Sequence, residues 1–265
     1  MWSGWLPRPW RSALKSETIV FLGPTLSAAE ARAQLDATYL PPAGQGDVVR
    51  AVLKHRPAVI AIVDGEFAQR PAVRHKEILW ALAKGVYVCG ASSMGAVRAA
   101  ELSDEGMIGY GFVYRWYRRT RLADDADVAV AMAPPELGSK ALTEALIDIR
   151  LTLKQSERRG IITRELRVAL EQAARSLHYS ERSYSTILDS VRNNNNDPDI
   201  ERLRRHLAIG LPRQKKLDAI ELLKSISAFK LRRKGPDKSN AFEMTEAFAY
   251  DLQYAELLDE IFRAD

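Results

Sequence analysis

Three short apolar runs constrain this chain more than any other feature, because each is closed by a polar, glycine-bearing turn and followed by a helix signal. They are Ser16–Leu22 (SETIVFL, then Gly23-Pro24), Ala58–Val63 (AVIAIV, then Asp64-Gly65) and Val86–Cys89 (VYVC, then Gly90-Ala91-Ser92-Ser93). Runs this short and this rich in β-branched residues read as buried strands. Ser27 and Glu30 have capping-box spacing, so a helix follows the first run at once. Asp47–His55, Val73–Lys84 and Gly95–Leu102 carry helical periodicity, and Gly85 stops the second of these. Tyr39 ends a short expected strand, since Pro41-Pro42 cannot sit inside a ladder. Strands alternating with helices imply a parallel sheet with right-handed crossovers. The expected fold class is α/β: a Rossmann-like parallel sheet with flanking helices in the N-terminal half (17–137), then an all-helical C-terminal part (138–265). Between Ser103 and Pro135 the chain reads as loop-rich and aromatic, with one short strand expected near Val128–Met132.

Composition narrows the function classes. An apolar fraction of 46% over 265 residues fills a real core, which excludes global disorder. The single cysteine, Cys89, rules out an intrachain disulfide and fits a reducing compartment, so a cytoplasmic location is expected. No apolar run reaches 18 residues, so no transmembrane helix and no membrane partner are expected. The opening MWSGWLPRPWRSALKS lacks a continuous apolar segment and reads as an irregular arm rather than a signal peptide. The net charge of +5 is unevenly spread. Arg202–Lys238 sets twelve Lys/Arg against three acids, for +9, whereas Ser239–Asp265 sets one Arg against seven acids, for −6. Such blocks pair with each other or dock an acidic protein; no nucleic-acid module accompanies them, so nucleic acid is not an expected partner. The phosphate-loop motif GxxxxGK[ST] and paired CxxC motifs are absent.

Ligands of open α/β sheets lie outside the carboxyl ends of the strands. Gly23-Pro24-Thr25, Asp64-Gly65-Glu66 and Gly90–Ser93 all fall there. Ala91-Ser92-Ser93-Met94-Gly95 has the shape of a nucleophile elbow centred on Ser93, with Ala91 in place of the first glycine of G-x-S-x-G. The same turn also suits a plain helix cap or a phosphate cradle, since all three use the free amides of a helix N-terminus. His75 is the candidate base, because it alone of the four histidines starts a helix near the converging rim. Asp64 is placed to orient it or to hold its own turn, and Glu77 to cap the helix or orient a partner. Arg98, one turn into the next helix, binds a substrate carboxylate or pairs with Glu101 or Asp64. The amides around Met94 and Gly95 form the expected oxyanion hole, with Ser92, Lys76, Gly23 and Thr25 lining the substrate side. Cys89, in an apolar run, is expected to be inert. Asp124, Asp125 and Asp127 lack companions at ligand spacing, so neither a metal nor a cofactor is expected.

Four stretches together resemble the TfuA-like family: VFLGPTLS (Val20–Ser27), VDGEF (Val63–Phe67), RHKEILWALAKGVYVCGASSMGAVRAAEL (Arg74–Leu102) and GMIGYGFVY (Gly106–Tyr114). The resemblance covers Thr18 to Val130. It departs where the family's Asp-Asp-Glu-Val is Asp124-Asp125-Ala126-Asp127-Val128 here, so no role is carried to those acids. What the resemblance implies is a partner of the ATP-dependent YcaO enzymes in peptide backbone thioamidation, acting on ribosomally made peptides or proteins. It also implies a hydrolase that frees sulfide from the C-terminal thiocarboxylate of a ThiS-like sulfur carrier, with the precursor peptide as a further partner. In that chemistry Ser93 attacks the carbonyl with His75 as base, or a His75-activated water attacks while Ser93 donates a hydrogen bond. Arg98 or Lys76 steers the anionic tail. The alternative is a non-catalytic adaptor that docks on the YcaO enzyme and activates it.

Overall fold

A computed structural model describes residues 18–67, 70–120, 123–191, 198–210, 213–228 and 242–264. The N-terminal arm, most of the asparagine-rich break and parts of the basic block (211–212 and 229–238) lie outside the described residues. In chain order the elements are β1 (Thr18–Phe21), α1 (Ala28–Arg32), β2 (Thr38–Leu40), α2 (Asp47–His55), β3 (Val59–Ile62), α3 (His75–Ala83), β4 (Tyr87–Ala91), α4 (Met94–Leu102), β5 (Ile108–Tyr110) and α5 (Gly111–Arg119). Then come α6 (Leu146–Arg158), α7 (Arg164–Ser176), α8 (Tyr184–Ser190), α9 (Pro198–Ala208), α10 (Gln214–Ser227), α11 (Glu246–Tyr254) and α12 (Leu258–Ala264).

The five strands form one parallel sheet in the order β2-β1-β3-β4-β5. Every residue of β1 and β3 is buried, as the continuous apolar runs require of strands covered on both faces. The capping box is present, with Ser27 Oγ accepting the Glu30 amide at 3.3 Å and Glu30 accepting the Ser27 amide at 3.3 Å. β5 forms where the sequence suggested only loop. It is three residues with a central glycine, too weak a pattern to read alone, and pairing with β4 (Cys89 opposite Ile108) creates it. No strand forms at Val128–Met132. Met132 makes only an isolated antiparallel bridge to Ala141, because the Thr143 hydroxyl takes the Ala131 amide and Pro134-Pro135 supplies no donors.

The described residues of Met1–Arg121 and Asp218–Asp265 form one compact unit, and those of Leu122–Leu217 a second. In the first, alternate strand residues feed two layers. Ile19, Phe21, Ile60, Ile62 and Val88 pack with α2, α3 and α4, and also with Phe248, Leu252 and Ile261 of α11 and α12. On the opposite face Val20, Val59, Ala61 and Cys89 pack with Ala31 of α1 and with Ala219, Leu222 and Leu223 of α10. The C-terminal helices thus complete both faces of the sheet. Asp218 of α10 also caps α5, accepting the Val113 amide at 2.7 Å. Gly111 must be glycine there: its φ is 88°, and a Cβ would lie 2.3 Å from the Asp218 carboxyl carbon. The second unit has its own core, including Leu146, Ile149, Leu153, Leu170, Ile187 and Leu203. Its buried Asp148 accepts the Lys215 amide at 3.2 Å, while burial pushes the Asp148 carboxyl above the usual range.

Candidate functional site

With this strand order, β1 and β3 are adjacent while their outgoing connections diverge to opposite sides, so the topological switch point falls between the loops that follow them. Asp64 fills that crevice itself. Its carboxylate, 1% exposed, accepts the amides of Gly23 (2.9 Å) and Thr25 (3.1 Å) and the Thr25 hydroxyl (2.6 Å). The amides that would cradle a phosphate are therefore committed to an internal anion. Asp64 holds its neighbouring turn and does not orient His75. Gly23 and Thr25 commit their amides to Asp64 while staying partly exposed.

One strand further along, β4 runs into α4 through the serine turn. The Ser93 amide donates to the Ala91 carbonyl at 2.8 Å, closing a γ-turn around Ser92, whose φ is 71°. That conformation is strained for any residue other than glycine. Ser92 is fully buried and its Oγ has no hydrogen-bond partner. Ser93, partly exposed, sits at the N-cap of α4, and its side chain makes no cap hydrogen bond. The Gly95 amide donates to the Val63 carbonyl at 3.4 Å, so it is not an oxyanion donor; the Met94 amide is the remaining donor of that turn. Gly90 and Gly95 let α4 lie directly on the sheet. A Cβ on Gly95 would come within 1.7 Å of the Ile62 carbonyl oxygen, and one on Gly90 within 2.0 Å of the Gly95 oxygen.

His75 is not paired with Ser93. Its Nε2 lies 2.8 Å from Glu101 Oε2, and Glu101 is eight residues beyond Ser93, roughly 12 Å along α4. Arg98 completes the group, with Nη1 donating to the same Glu101 oxygen at 2.7 Å and Nε donating to the Val73 carbonyl at 3.0 Å. Of its expected partners, then, Arg98 takes Glu101 and not Asp64. Burial pushes the Glu101 carboxyl up, but the His75 hydrogen bond and the Arg98 charge outweigh it and hold it below the usual carboxylate range. Glu101 was read from the sequence only as a partner for Arg98. The i,i+3 spacing shows that pair, but nothing local shows the histidine 26 residues away.

Glu77 caps rather than orients the histidine. Its buried carboxylate accepts the Arg74 amide at 2.7 Å at the start of α3, and the Gly46 and Val48 amides at 3.2 and 3.1 Å at the start of α2. Burial pushes it up to about 7 despite those three donors. Lys76 directs its ammonium over the Phe242 ring, 5.7 Å from the centroid. Cys89 is buried, and burial pushes its thiol up to about 12, which disfavours the reactive thiolate. Asp124 accepts the Ala126 amide at 2.9 Å in a short capped turn. Among the described residues no group of three His, Cys, Asp or Glu side chains is arranged to hold a metal ion. No helix among them is long and apolar enough to cross a membrane.

No curated protein matches the chain. Residues 64–183 match the model of the family described as TfuA-like protein, a span that includes the serine turn, His75, Arg98 and Glu101. That match supports a TfuA-like family assignment for residues 64–183.

Proposed function

We propose that this protein releases sulfide from the C-terminal thiocarboxylate of a small ThiS-like sulfur carrier and supplies it to an ATP-dependent YcaO enzyme for peptide backbone thioamidation. The family supports the partnership with a YcaO enzyme. The observation that carries the chemistry is the serine turn. A strained Ser92 delivers the N-terminus of a nine-residue helix to the carboxyl-end rim, with the Met94 amide and Ser93 hydroxyl free of cap bonds. A helix N-terminus favours an anion, and a preorganised donor to a developing oxyanion is worth about 3 kcal/mol. Hydrosulfide is a far weaker base than an amine, so once sulfur carries a proton the demand falls chiefly on activating the nucleophile and holding the oxyanion.

The test is a sulfide assay with purified protein and thiocarboxylated carrier. Wild-type protein releases sulfide, and Ser93→Ala slows release at least tenfold with unchanged circular dichroism. Absence of sulfide from wild-type protein refutes the hydrolase; an unaffected Ser93→Ala variant removes the serine turn from it. One observation favours the adaptor reading as the second choice: among the described residues no imidazole is hydrogen-bonded to the Ser93 hydroxyl, and His75 is held by Glu101 instead, so an acyl-serine route lacks its base. Under that reading Ser93→Ala protein supports thioamidation fully when sulfide is added separately.

A further inference from the structure

We propose that His75 takes the proton of a water that attacks the substrate carbonyl, and that Glu101 is the positioning residue that holds its ring for that step; this rests on the thiocarboxylate-hydrolase reading. Three side chains form one chain of hydrogen bonds: the Val73 carbonyl fixes Arg98, Arg98 fixes Glu101, and Glu101 fixes His75. Exposure grades along it. The Arg98 side chain is 10% exposed, Glu101 39% and His75 46%, so a buried strut supports an imidazole that solvent and substrate can reach. An ionised Glu101 accepts the Nε2 proton, which leaves Nδ1 as the basic nitrogen, and no hydrogen bond among the described residues engages it. The flanking cations point elsewhere, Arg74 to Asp251 at 3.7 Å and Lys76 to Phe242.

With Nε2 held by Glu101 and no hydrogen bond from His75 to Ser93, the free nitrogen is left for a water. Met94, Arg98 and Glu101 lie at i, i+4 and i+7, on one stripe of α4. Met94 and Glu101 are roughly 10 Å apart along the helix. In the step, the water oxygen bonds to the carbonyl carbon as its proton passes to Nδ1. The imidazolium then gives that proton to sulfur as the C–S bond breaks with its electron pair going to sulfur, so hydrosulfide leaves directly, and thiocarboxylate and water become carboxylic acid and hydrosulfide.

The experiment uses the full chain and thiocarboxylated carrier. Glu101→Gln lowers kcat about a hundredfold with KM within twofold, Glu101→Asp restores part of it, and mass spectrometry finds no carrier adduct on Ser92 or Ser93. A Glu101→Gln variant at wild-type rate, or an accumulating serine adduct, overturns the proposal while leaving the hydrolase standing. If wild-type protein frees no sulfide, the hydrolase reading fails, and the 15N shifts of the His75 ring decide the positioning alone. A protonated Nε2 with bare Nδ1 in wild type, lost in Glu101→Gln, upholds it; a ring without tautomer preference in wild type overturns it.

Discussion

The Glu77 carboxylate accepts the Gly46 amide at 3.2 Å, so one buried side chain of α3 closes the N-terminus of α2 as well as its own helix. The position carries a pH dependence. Burial raises the native carboxyl to about 7, above the ordinary value near 4.3 that it regains on unfolding. The folded state therefore binds the proton more tightly. The contribution is fully present below about pH 4.3 and is lost as pH rises through 7, a change on the order of 3 kcal/mol. Denaturant unfolding at pH 5 and pH 8 should show wild-type protein losing more stability over that interval than Glu77→Gln; parallel behaviour of the two would refute the assignment.

Gly95 is predicted to be irreplaceable. A Cβ there meets the Ile62 carbonyl oxygen at 1.7 Å, a backbone atom of the central sheet that cannot swing aside. Gly95→Ala should cost about 3 kcal/mol or more. Gly85→Ala, at φ 84° but with nothing within 4 Å, should cost about 1 kcal/mol from backbone strain alone. Urea midpoints of the two variants check the contrast.

Asp64 ties the loop after β3 to the loop after β1. Asp64→Ala strands the Gly23 and Thr25 amides and the Thr25 hydroxyl, and should cost about 2–4 kcal/mol. A thermal melt unchanged from wild type would mean that the crevice is held by other contacts.

Ser92 is predicted to trade stability for function. Ser92→Ala removes a buried hydroxyl with no partner and should raise stability by about 1 kcal/mol; Ser92→Gly also relieves the positive φ. Both variants should release sulfide more slowly than wild type. Loss of stability in Ser92→Gly would show that the turn is not strained.

The sequence by itself determined the elements whose causes are local. β1 and β3 lie inside their apolar runs, β4 starts in its run and extends two residues past it to Ala91, α2 spans the predicted Asp47–His55, and the Ser27–Glu30 box caps α1 where the spacing placed it. A strand's apolar run, a helix's period and a cap all act within a few residues, so they are written in adjacent letters. Tertiary structure decided what those elements face. The order β2-β1-β3-β4-β5, the three-residue β5, and the use of α10, α11 and α12 to cover the sheet depend on partners far along the chain. The same holds for the site: the sequence singled out His75, Arg98 and the serine turn, but the fold turned His75 to Glu101 and filled the β1–β3 crevice with Asp64. Side-chain reach is only a few ångströms, so which charged groups meet is fixed by how helices pack on the sheet, and that information is not local.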